Sequence, residues 1–134
     1  MSEQANIEVV QGVFAAFGRA DIPGVLSLLS EDVNWTFPGP ASIPFAGERH
    51  GHAGATEFFM TLGGAVEFKV FEVRELVAQG DKVVALGFER GSVRASGRTF
   101  DNHWALVFTV RDGKVTAFRS YEDTNALAEA FRAA

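Results

Sequence analysis

The chain has no cysteine, which excludes disulfides, thiolate nucleophiles and cysteine-ligated zinc or iron–sulfur centres. Positive charge is also scarce. Twelve Lys and Arg stand against 17 Asp and Glu, a formal charge of −5, and the basic residues are scattered. Nucleic acid and anionic membranes require clustered cations to neutralise phosphate, so neither is expected as a partner. No stretch approaches the ~18 apolar residues of a membrane helix. The opening MSEQANIEVV lacks the basic and apolar regions of a secretory signal, which makes the cytoplasm the expected location. With only two Met and one Tyr, bulky apolar volume falls to 13 Phe and two Trp. Such a composition suits a thick core, an apolar ligand cavity or an apolar subunit interface.

At 134 residues the chain fits a single domain, residues 1–134, able to hide roughly two-thirds of its unfolded surface. Ile7, Val10, Phe14 and Phe17 recur at spacings of three and four, the pattern of one buried helical face. Asp21 is placed to cap a second, short helix that tolerates Pro23 in its first turn. Val33, Trp35 and Phe37 alternate as a brief strand, and the prolines of PGPASIP then break regular structure. GHAGATEFFMTLGG reads as a third helix with Phe58, Phe59 and Leu62 on its buried side and Gly63–Gly64 as its stop.

Beyond it the period becomes two. Residues 66–77, 83–93, 99–110 and 115–122 each alternate, and Asp112–Gly113 is a strong hairpin signal. The order is helix, helix, short strand, helix, four strands, helix, an α+β arrangement with helices segregated from an antiparallel meander. A curved, cone-shaped antiparallel sheet packed on three N-terminal helices, with a short C-terminal helix, is the expected fold. WALVFTV is apolar at nearly every position, so both sheet faces should be covered, one by helices and cavity and the other by a second copy in a homodimer.

Three segments, FAAFGRADIPGVLSLLSEDVNWTFPG, GERHGHAGATEFF and VFTVRDGKVTAFRSYEDT, resemble the nuclear transport factor 2-like superfamily, in its SnoaL-like branch related to polyketide cyclases and ketosteroid isomerase. The likeness spans almost the whole chain. It implies the cone fold and a pocket that hosts isomerases, cyclases, dehydratases and non-catalytic proteins alike. The steroid isomerase residues do not carry over: its tyrosine falls near Val13, its proton-shuttling acid near Phe37 and its oxyanion-hole acid near Leu106. Steroid isomerisation is thereby rejected. The acid of the polyketide-cyclase branch maps onto Asp123. If Leu106 lines the cone, as the isomerase alignment implies, Asn102 and Trp104 share its face and His103 takes the other.

Asp123 fits two roles, a base whose pKa an apolar cone would raise or the N-cap of the last helix. Glu122 points to the opposite face if the strand stays regular, and a bulge would exchange the two. His103 is suited to acid–base work or to a hydrogen-bonded place at an interface or surface. Of Glu89 and Arg90, mid-strand in an apolar setting, one should point inward and need a partner. Trp35, Phe37, Phe58, Phe59 and Trp104 read as cavity wall or core. His50 and His52 have a spacing seen in metal sites, yet nothing fixes a third ligand, so no metal is expected. The leading expectation is a pocket for a small apolar organic molecule, with Asp123 removing a carbon-bound proton and Tyr121 or Asn102 holding the oxyanion, without cofactor. The rival is a non-catalytic ligand-binding or dimerisation domain.

Overall fold

A computed structural model describes residues 2–132. Helix α1 (Glu3–Gly18) starts where the Ser2 hydroxyl accepts the Ala5 amide at 3.0 Å. Helix α2 (Ile22–Leu26) is capped by Asp21, whose carboxylate accepts the Gly24 amide at 3.0 Å, with Pro23 in the first turn. Strand β1 (Leu29–Phe37) leads through the proline-bearing loop to β2 (Gly47–His50) and helix α3 (Gly51–Ala65). Strands β3 (Val66–Gln79), β4 (Lys82–Val93), β5 (Thr99–Arg111) and β6 (Lys114–Glu122) form the meander, and α4 (Thr124–Phe131) follows.

The six strands make one curved, unclosed sheet in the order β2-β1-β6-β5-β4-β3. The α+β fold class is the one read from the sequence, with two additions. Strand β2, short and polar, pairs with β1 at the sheet edge. Strand β1 joins β6 in parallel, whereas every other neighbouring pair is antiparallel. Both residues of the Asp112–Gly113 turn have positive φ, +52° and +77°, the geometry of a two-residue hairpin whose twist matches its strands.

Alternation assigns the faces. On β4, Val83, Ala85, Gly87, Glu89, Gly91 and Val93 are all buried. On β5 the inward set is Phe100, Asn102, Trp104, Leu106, Phe108 and Val110. Against this concave face pack Val10 and Val13 of α1 and Phe58, Phe59 and Leu62 of α3. Register shifts in β3 after Phe68 and after Val73 bend that strand, as bulges do. Among the described residues no helix is long and apolar enough to cross a membrane.

Candidate active site

The inward face of β4 reads Gly87, Glu89, Gly91, one carboxylate between two residues without side chains. A Cβ on Gly87 would lie 2.2 Å from the Trp104 ring, and one on Gly91 would lie 2.9 Å from the Phe100 ring. Neither contact is sterically possible. The two glycines therefore let aromatic rings from β5 lie across β4 on either side of Glu89, which becomes the floor of an aromatic slot.

Register completes the site. Glu89 pairs with Asn102 on β5, and Trp104 of β5 pairs with Glu122 on β6. Asn102 is fully buried. Its Nδ2 donates to Glu122 Oε1 at 2.5 Å and to Glu89 Oε2 at 3.3 Å, while its Oδ1 accepts the Asp123 amide at 2.8 Å. One side-chain amide thus spends both N–H groups on two carboxylates and its carbonyl on the entry to α4.

Burial pushes the Glu89 carboxyl up from 4.5 to about 7, although the neighbouring Asn102 and Trp104 side chains pull it back. Burial also pushes Glu122 up to about 8, reinforced by the charge of Glu89 and opposed by Asn102 and Ser120. The Trp104 indole and the Ser120 hydroxyl adjoin the carboxylates without completing a hydrogen bond, and Trp35 Nε1 is likewise buried and unpartnered. Two carboxyls that near one another resist double ionisation, so near neutrality the pair holds about one proton.

The carboxylates line a cavity of about 70 Å³ whose other walls include Trp35, Phe37, Phe58, Phe59, Trp104 and Leu106. Trp35 stacks on Phe118 with ring centres 3.9 Å apart, and Phe14 stacks on Trp104 at 6.2 Å. Asn102 stands behind the carboxylates rather than in the wall. Phe14, Phe17 and Phe71 also line an adjoining outer groove of about 980 Å³.

The three residues expected to do the chemistry lie elsewhere. Asp123 is exposed and accepts the Ala126 amide at 3.0 Å as the N-cap of α4. Tyr121 is 55% exposed on the convex face, beneath the Arg119 guanidinium. His103, also exposed, packs against Phe88 on that same face. The physical reason is parity: β6 stays regular to its last residue, so Glu122 turns inward, Tyr121 turns outward and Asp123 is already the helix cap. Arg90 points outward and pairs with Asp101 at 2.7 Å. His50 bonds Asn34 Oδ1 and His52 bonds the Leu29 carbonyl. No group of three His, Asp or Glu able to hold a metal gathers among the described residues. Glu122 is the site residue that sequence reasoning left unassigned, and the pattern Gly-x-Glu-x-Gly on β4 was the readable signal for the slot beside it.

A cone-shaped sheet over three helices with a polar floor defines a pocket protein of the nuclear transport factor 2-like class. More narrowly, the SnoaL-like domain profile matches residues 10–118, and the chain belongs to that family. It is similar to a nuclear transport factor 2-like protein of Burkholderia xenovorans, at 42% identity and TM-score 0.91 over 98% of this chain and 99% of that one. It is also similar to TerC, crystallised with polyporic acid, at 33% identity and TM-score 0.82 over 95% and 98% of the two chains. An uncharacterised Mycobacterium tuberculosis protein is 23% identical over 98% of each chain.

Proposed function

We propose that the chain is a cofactor-free acid/base catalyst acting on a small, apolar, oxygen-bearing organic molecule, with Glu89 and Glu122 as the proton-handling pair. The observation that carries this reading is the amide-bridged pair of carboxylates in the wall of an aromatic cavity. The ionised carboxylate of the pair takes a carbon-bound proton; the protonated one donates to the oxygen that gains electron density. Enolisation proceeds this way with one proton accepted and one delivered, and the site's charge is unchanged. Matching a carboxyl pKa to neutral pH is what makes it effective in both directions. Isomerisation, cyclisation and dehydration share this first step. The likeness to TerC, which was crystallised with polyporic acid, supports a small-molecule occupant.

The test is deuterium exchange at the α-carbon of aryl ketones in heavy water, followed by proton NMR. Exchange catalysed by the wild type and lost by at least 100-fold in Glu89→Gln supports the reading. Equal exchange by both proteins refutes it. Binding of the ketones without exchange would instead favour the second reading, a ligand-binding domain without turnover, which the small inner cavity supports.

Self-association through the convex sheet face is part of the same proposal. Val77, Leu86 and Tyr121 expose large apolar surface there, and a second copy would cover it. Light scattering on Leu86→Glu tests it: a wild-type dimer that becomes monomeric in the variant is the expected outcome.

A further inference from the structure

The inner cavity is too small for the molecule its chemistry implies. Ligand pockets usually run from roughly 300 to 1,000 Å³, whereas the space beside Glu89 and Glu122 is about 70 Å³. The outer groove, about 980 Å³, sits at the other extreme. The two adjoin, sharing the walls of Phe14, Phe17, Phe59 and Phe71. Met60 and Val73, two of the chain's exposed large apolar residues, both line the groove. They are 64% and 37% exposed, which is apolar surface that the fold itself leaves uncovered.

We propose that the groove is a second subsite, taking the apolar tail of an elongated substrate whose reacting end alone enters the inner cavity. The substrate class is then a planar ketone-like head carrying an unbranched or flat hydrocarbon extension, rather than a compact ring. This rests on the acid/base reading of Glu89 and Glu122, which orients the molecule head-first. The tail is neutral because the charged residues of the groove already answer one another: Arg94 lies 3.7 Å from Glu67 and donates to the Gly63 carbonyl at 3.0 Å. Asp21 at the far rim is engaged with the Gly24 amide and Arg19.

The experiment is a chain-length series from acetophenone to hexanophenone, titrated against the wild type and read on the two indole N–H resonances of Trp35 and Trp104. Both indoles belong to the inner cavity, so a head that enters moves them. Affinity is expected to climb by up to about fourfold per added methylene and to keep that slope in Glu122→Gln. In Val73→Glu and Met60→Glu, exposed positions where a charge leaves the core intact, the slope should collapse, because the tail would meet a carboxylate. A flat series in the wild type with acetophenone still bound overturns the tail subsite and spares the acid/base reading. So does a slope that survives both groove substitutions. If no member of the series shifts the indoles, both readings fall together.

Discussion

Replacing Glu122 with Gln should make the protein more stable than the wild type above neutral pH and flatten its stability profile. In the unfolded chain both glutamates ionise near 4.5, whereas in the folded protein burial holds Glu89 to about 7 and Glu122 to about 8. Between those limits the folded state keeps protons that the unfolded chain has released. Their contribution is therefore complete below about pH 4.5 and is lost as pH rises through 7 and then 8. For Glu122 the interval from 4.5 to about 8 corresponds to a ceiling of about 5 kcal/mol at roughly 1.4 kcal/mol per pH unit. Water entry and side-chain rearrangement relieve part of such a burial penalty, so about 2–3 kcal/mol is the working figure. At this chain length that is a melting-temperature difference of roughly 6–12 °C. The glutamine amide can still accept from Asn102 Nδ2, so geometry is preserved while the charge is removed. The assay is thermal unfolding by circular dichroism from pH 5 to 9 on both proteins. Parallel profiles, or a wild type that gains stability between pH 6 and 9, would refute the buried-pair argument.

Two further outcomes test the architecture around the pair. Gly87→Ala forces a methyl group to within 2.2 Å of the Trp104 ring and of the Glu72 carbonyl; a loss of about 2–3 kcal/mol in denaturant unfolding, with an altered near-ultraviolet tryptophan signal, is expected. A near-neutral change would mean that the slot does not depend on the glycine. Asp123→Ala should cost about 1 kcal/mol and Asp123→Asn almost nothing, with ketone exchange unaffected in both. Loss of exchange in the asparagine variant would return Asp123 to the chemistry.

The legible parts of the fold were those written in local pattern. Alternation located β3 to β6 to within a residue or two, Asp112–Gly113 announced its own turn, and Asp21 declared its helix. Strand β2 left no such trace, because Gly47-Glu48-Arg49-His50 has no apolar alternation and becomes a strand only by pairing with β1. Gly63–Gly64 read as a stop, yet α3 runs one residue further and ends where Val66 turns extended, because β3 begins there. The cavity walls were readable as aromatic strand faces, and Glu89 as a charge stranded among apolar neighbours. The distinction between Glu122 and Asp123 was not readable. It depends on whether β6 remains regular for its final residue, and on the Asn102 carbonyl holding the Asp123 amide, a contact from another strand.

The parallel junction between β1 and β6 has a kinetic consequence. Strands β3 to β6 are joined by short hairpins and can assemble from near neighbours, but β1 must find β6 across the length of the meander, with Trp35 meeting Phe118. Long-range closure of this kind is slow compared with hairpin formation. The wall that Trp35 and Phe37 contribute should therefore be the last part of the cavity to arrive, after Trp104 is already seated on β4. Stopped-flow refolding of Trp35→Phe and Trp104→Phe, each retaining one emitter, would show the retained Trp35 signal lagging the retained Trp104 signal. Until that docking is complete the aromatic face of the meander stands open to water and to other chains, so crowding and temperature act on this protein most strongly during the interval before β1 arrives.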